Sequence, residues 1–164
     1  MFTVTKIAIC LITFFVFSRI ALWFQKRLKK SMVILVDINA LFDIMPIYQR
    51  GLVYVENRPN SNLIEYMQEH FKEIGVCPNG LNKAIMLQQK GYTLKFISGL
   101  TEDLRSIVAH LLNLWGLKGD LFMIGDLDIN VALEQLRYNN PSIIGLIGKN
   151  IDNKKYADYG LRVF

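Results

Sequence analysis

Cysteine is almost missing from this 164-residue chain: there are two, Cys10 and Cys77. Two thiols build neither a disulfide framework nor a four-ligand zinc site. The two histidines, His70 and His110, fall on separate expected helices without a paired ligand, which argues for surface or core roles rather than a metal centre. Internal repeats and low-complexity tracts are absent. A 52% hydrophobic content with positive mean hydropathy excludes general disorder. Acidic residues are missing altogether from residues 1–30, which hold six basic ones (Lys6, Arg19, Lys26, Arg27, Lys29 and Lys30). The remaining residues carry 13 basic and 14 acidic side chains, so the formal charge of +5 belongs to the N-terminus. A nucleic-acid-binding domain needs its positive charge on the folded surface, so nucleic acid is not an expected partner. The length allows one ordinary domain, 31–164, behind a short appendage, 1–30.

What the appendage does have is a long apolar run. Ile7 to Phe24 is 18 residues with one charge, Arg19. As a helix it spans about 27 Å, close to the thickness of a hydrocarbon core. Trp23 and Phe24 then fall where an interfacial aromatic belt belongs, and Lys26, Arg27, Lys29 and Lys30 follow at once. Arg19 is near enough to that end to snorkel. The expectation is a single-pass membrane anchor in a lipid bilayer, with the C-terminal domain on the cytoplasmic or matrix side. Two other readings stay open. A cleaved secretory signal would carry its charge ahead of the run, and Ser18-Arg19-Ile20-Ala21 is a poor cleavage site. A mitochondrial targeting segment fits the lack of acids, but the run is more apolar than such peptides.

Beyond residue 31 the pattern alternates strand and helix. Met32–Val36 is a continuous apolar run ending at Asp37, as in a strand buried on both faces. Residues 44–60, with Pro46, Gly51 and Pro59, read as irregular, with a short extended piece at Leu52–Val55. Asn60-Ser61-Asn62 offers an N-cap to a helix ending near Gly75, and Pro78-Asn79-Gly80 opens a helix that Gly91 closes. Tyr92–Ile97 reads as a strand. A helix from Thr101 to Trp115 follows, with Leu104, Ile107, Val108, Leu111 and Leu112 facing inward. Leu121–Ile124 reads as a strand, Asp128–Tyr138 as a helix, Ser142–Ile147 as a strand, Asp152–Tyr159 as a helix and Leu161–Phe164 as a last strand. The class is therefore α/β, a Rossmann-like parallel sheet flanked by helices. In such sheets functional residues gather beyond the carboxyl ends of the strands, which points to Asp37, Ser98, Gly125-Asp126 and Gly148-Lys149-Asn150.

The order of these segments resembles the haloacid dehalogenase (HAD) superfamily. The strand followed by Asp37-Ile38-Asn39-Ala40-Leu41-Phe42-Asp43 is similar to its first motif, a strand and Asp-x-Asp-Gly-Thr-Leu. Phe96-Ile97-Ser98-Gly99 is similar to its second, a strand ending in Ser or Thr. Ile144–Gly148 with the following helix and Gly160-Leu161-Arg162-Val163 is similar to its last, a strand, Gly-Asp-x-x-x-Asp, a helix and a strand. The resemblance covers residues 32–164 and implies a HAD-like domain, capless or with a minimal cap drawn from 44–75, preceded by one transmembrane helix. In the family a carboxylate attacks a phosphoryl group, a second carboxylate is the general acid/base, a hydroxyl and a Lys hold the phosphoryl oxygens, and Mg²⁺ neutralises charge.

By that resemblance Asp37 stands for the nucleophile and Ser98 for the phosphate-binding hydroxyl. Asn39 replaces the acid/base, and an amide cannot shuttle a proton. Lys149 replaces one metal-binding acid and Asn153 another, and no Lys opens the helix at 128–138. A second alignment reads Gly125-Asp126-Leu127-Asp128-Ile129-Asn130 as the metal motif, with Asp126 a Mg²⁺ ligand beside Asp37 and Lys118 the phosphate Lys. The bland readings are strand-end and helix caps for Asp37, Asp126 and Asp128, and a solvated turn at Lys118. The expected function is a catalytically inactive accessory or structural subunit of a membrane-associated complex, without cofactor and alongside other protein subunits. The alternative is a Mg²⁺-dependent phosphatase or phosphotransferase.

Overall fold

The structure is a computed structural model that describes residues 2–125, 127, 129–139, 142–149 and 161–164. For residues 2–13, 26, 30, 31, 129, 130 and 139 it describes the backbone alone. The expected helix at Asp152–Tyr159 lies outside the described residues.

β1 (Val33–Asp37) carries four apolar residues that are all buried, so both of its faces are covered. Fully burying each such side chain contributes about 1.5–3 kcal/mol in gross terms. Its backbone groups are satisfied on both sides by parallel neighbours, β4 (Thr93–Ser98) and β6 (Ile143–Ile147). Outside these lie β5 (Gly119–Met123) and β7 (Arg162–Val163), giving the order β5-β4-β1-β6-β7 with every pairing parallel. The chain thus builds outward from β1 on one side and then returns to the other, the arrangement of a Rossmann-like sheet, whose order reverses between β1 and β6.

Alternation along β1 splits the core. Ile34 and Val36 join Leu94 and Phe96 under α4 (Pro78–Gln89) and α5 (Arg105–Leu114), whereas Val33 and Leu35 join Ile97, Ile143 and Leu133 of α6 (Ile129–Asn139). The five inward residues expected around α5 are all buried. Leu104, the first of them, sits in a single 3-10 turn, Glu102–Leu104, that precedes the α-helix. Gly91 closes the α4 end at φ +90°, a conformation that disfavours any side chain.

A two-strand ladder, β2 (Phe42–Asp43) antiparallel to β3 (Gly75–Val76), brackets an insert of two helices, α2 (Met45–Glu56) and α3 (Leu63–Glu69). Here the sequence expectation is corrected: 44–60 is mostly helical, and Leu52–Val55 lies inside α2. Pro46 occupies the first turn, where its missing N–H has no intrahelical partner to lose. Gly51 marks close packing rather than a break. A Cβ there would lie 2.7 Å from Leu63 Cδ1 and 2.8 Å from Tyr66 Cδ1, so the absent side chain lets α3 approach. Asn62 caps α3 by accepting the Ile64 N–H at 2.9 Å. That helix stops at Glu69, short of Gly75, where the His70 ring takes up the Tyr66 carbonyl at 2.9 Å and a 3-10 turn follows.

α1 (Phe2–Ser31) is one continuous helix that ends one residue before β1. Phe14, Phe15, Phe17, Leu22, Trp23 and Phe24 are each more than half exposed. Among the described residues no helix is long and apolar enough to cross a membrane. The expected span Ile7–Phe24 falls in part on side chains 7–13, which are not among those described.

Gly80, in the first turn of α4, faces the turn after β1 so closely that a Cβ would run into the Ala40 backbone carbonyl. Gly80→Ala therefore sets a helix-propensity gain of at most about 1 kcal/mol against an overpacking cost of about 1–3 kcal/mol that falls on backbone rather than on a flexible side chain. The expected outcome is a lowered midpoint in thermal unfolding followed by circular dichroism.

Candidate functional site

Because the five strands run in one direction, their carboxyl ends share one edge of the sheet. β1 ends in Asp37 and β4 in Ser98, with Asp37 in register with Ile97. β6 ends at Ile147, opposite Val36, and leads through Gly148 to Lys149. Asp37, Asn39, Ser98 and Lys149 are thereby gathered where the strand order reverses, the usual crevice of an open parallel sheet.

Asp37 is half-buried and caps the 3-10 turn Ile38–Ala40: its Oδ1 accepts the Asn39 N–H at 2.9 Å. Burial pushes the Asp37 carboxyl above the usual Asp range. The Asn39 hydrogen bonds and the Lys149 charge pull it partway back. Ser98 is buried, at 1% exposure, and its Oγ accepts the Leu100 N–H at 3.3 Å. Lys149 reaches across to Asp43, with Nζ 3.0 Å from Oδ1. That hydrogen bond is the main reason its ammonium is held above the usual Lys value, with smaller contributions from the charge of Asp43 and from Cys77 and Asp37.

Two of these neighbours carry no assignment from the sequence, Asp43 and Cys77. The β2–β3 ladder brings them in. Cys77 donates its backbone N–H to the Leu41 carbonyl at 2.8 Å, and its thiol points at the Asn39 carbonyl, 3.9 Å away. No spacing in the sequence announces this contact, because 106 positions separate Asp43 from Lys149.

The turn after β5 adjoins the loop after β4 rather than Asp37 itself. β4 stands between β5 and β1, and the Ile124 and Gly125 N–H groups bond to the Ser98 and Leu100 carbonyls at 2.8 and 3.2 Å. Asp126, the metal ligand of the second alignment, and Asn153 lie outside the described residues. Lys118, its phosphate Lys, precedes β5 and so sits at the opposite end of the sheet from Asp37, exposed to solvent. At about 3.3 Å per residue, a five-residue strand separates those ends by roughly 17 Å, beyond the reach of one side chain. His70 stacks on Tyr66 and His110 lies against Phe71, with centroids 4.1 and 4.9 Å apart.

Mg²⁺ requires several oxygen ligands in near-octahedral array. Among the described residues no group of three or more His, Cys, Asp and Glu side chains could hold a metal. The carboxylate of Asp43 is instead taken by an ammonium whose charge also lowers the Asp37 pKa. The described residues do not fit a Mg²⁺ site. They form a half-buried carboxylate, a tethered cation and an amide, a set that can hold charge in balance.

No family model, no curated protein and no solved structure matches the chain. The class that the fold defines is a Rossmann-like α/β protein with a parallel five-stranded sheet.

Because Lys149 lowers the Asp37 pKa, Lys149→Met is expected to raise it further, read as the midpoint of the Asp37 carboxyl carbon shift in an NMR titration. An unchanged midpoint would separate the two groups. The linked effect on stability has a definite sign. Where the folded pKa exceeds the unfolded one, the folded state binds more protons within that window, so stability falls as pH rises through it. Lys149→Met widens the window and steepens the loss.

Proposed function

We propose that the chain is a degenerate member of the haloacid dehalogenase superfamily, anchored by α1 in a bilayer, with residues 31–164 on the cytoplasmic or matrix side. In this reading it acts as a catalytically inactive accessory or structural subunit of a membrane-associated complex. The observation that carries it is the Lys149 ammonium, 3.0 Å from Asp43 and close enough for its charge to act on Asp37, on the loop where the family resemblance expects a metal-binding acid. Asn39 adds the loss of the general acid/base, a group worth about 10²–10⁴ in rate by itself. Retention of Asp37 and Ser98 at the strand ends fits a scaffold inherited without its chemistry. Asp37 caps the turn after β1 and Ser98 anchors the loop after β4. The anchor is supported by the exposed apolar side chains from Phe14 to Phe24 and the basic run behind them. A role alongside other subunits draws support from α2, where Leu52 and Val53 are exposed at 44% and 57%.

The test is phosphatase turnover by the full chain in detergent with Mg²⁺ across a panel of phosphomonoesters. Turnover indistinguishable from that of Asp37→Asn is expected. Robust Mg²⁺-dependent hydrolysis abolished by Asp37→Asn would overturn the inactive reading in favour of a phosphatase with an aspartyl-phosphate intermediate.

A further inference from the structure

We propose that the sheet edge from which α1 emerges rests directly on an anionic bilayer surface, so that the α/β unit is held against the membrane by its own surface charge as well as by its anchor. The proposal builds on the anchor reading above. α1 joins β1 through Met32 alone, so its end lies at the edge formed by the amino ends of the parallel strands. Every segment that returns to this edge brings a basic side chain. Lys90 follows α4, Lys118 precedes β5, Arg137 is in the last turn of α6, and Arg162 opens β7; all four are exposed.

Two grooves show the level of these charges relative to α1. Lys90 lines a groove with Leu22, Trp23 and Gln25, the stretch where the apolar run gives way to polar residues. Arg162 lines a second groove with Gln25, Leu28 and Lys29. Gln88 then ties the turn before β5 to the end of α4: its Nε2 donates to the Gly116 carbonyl at 2.9 Å, and its Oε1 accepts the Lys118 N–H at 2.6 Å. Lys118 and the adjacent Trp115 are thus carried to the same edge. Trp115 and Tyr138 are exposed at 44% and 91%, and aromatic side chains of this type partition to the headgroup region.

The opposing charge at this edge is small. Among the described residues of these strand starts and the helix ends leading into them, the carboxylate is Asp120, which pairs with Lys95 at 3.4 Å. Asp37, Asp43, Glu102 and Asp103 lie at or near the other edge. Lys149 and Arg105 pair with Asp43 and Glu102 there, so among the described residues the basic excess lies at the edge where α1 leaves and the other edge is closer to balance. An anionic leaflet attracts the basic edge within a Debye length of the surface. The Asp37–Lys149 crevice consequently opens away from the bilayer, about 17 Å above the strand starts.

The chain has two tryptophans, so Trp23→Phe leaves Trp115 as the sole reporter. The full-length variant is reconstituted into vesicles of phosphatidylcholine, or of phosphatidylcholine with phosphatidylserine, each brominated near the headgroup. Flotation with both vesicle types reads the anchor, and quenching of Trp115 reads the docking. The expected result is flotation with both, and quenching only with phosphatidylserine. High salt removes that quenching without any substitution, and so does the variant Lys90→Glu/Lys118→Glu/Arg137→Glu/Arg162→Glu, with flotation unchanged. Flotation with Trp115 equally quenched, or equally unquenched, in the two vesicle types overturns the docking and leaves the anchor standing. Failure to float with phosphatidylcholine overturns the anchor, and the docking with it.

Discussion

The constraint on which the rest of the structure depends is that β1 is hydrogen-bonded on both sides by parallel partners and covered on both faces. A strand so placed must be apolar throughout, and Val33 to Val36 are. Its first polar side chain can appear only where the strand leaves the sheet, and that residue is Asp37. The same constraint sends the chain away from β1 in both directions. β4 and β5 build one flank and β6 and β7 the other, which brings the loop after β6 rather than the loop after β5 against Asp37. The crevice is a consequence of strand order, and its contents are decided by whichever residues happen to follow β1, β4 and β6.

Those contents obey a simple electrostatic requirement. A carboxylate drawn partly out of water must be hydrogen-bonded or paired, or it neutralises. Asp37 receives the Asn39 N–H and the field of Lys149, yet burial still outweighs both. A metal-dependent phosphoryl-transfer site would meet the requirement with a divalent ion and further carboxylates. Here the cation is covalently part of the chain, and the neighbouring side chain, Asn39, is an amide. Asn39 and Lys149 work in the same direction. Each favours the ionised form of Asp37, Asn39 by hydrogen bonds and Lys149 by its charge.

The sheet, its parallel sense and most helix ends were legible in the sequence because they rest on local signals. These are the unbroken apolar run at 33–36, the apolar spacing of α5, the Asn62 cap and Gly91. The insert was not, because Pro46 and Gly51 read locally as breakers. Their meaning depends on Pro46 lying in a first turn and on α3 packing onto Gly51, which is tertiary information. At the crevice, Asp37, Asn39, Ser98 and Lys149 could be singled out as strand-end residues. Asp43 and Cys77 could not, since their approach depends on a two-residue ladder bridging a 31-residue insert. Lys118, the phosphate Lys of the second alignment, lies away from Asp37 for a reason of direction: a residue before a strand and a residue after its neighbour occupy opposite edges of a parallel sheet.

The central proposal is that a built-in ammonium occupies the charge role of a metal at the strand-end crevice. The most direct measurement is Mn²⁺ binding to the full chain in detergent, followed by electron paramagnetic resonance of the free ion at neutral pH. The native chain is expected to leave the free-ion signal equal to that of Asp37→Asn at every Mn²⁺ concentration. Saturable uptake of Mn²⁺ by the native chain that disappears in Asp37→Asn would contradict the claim.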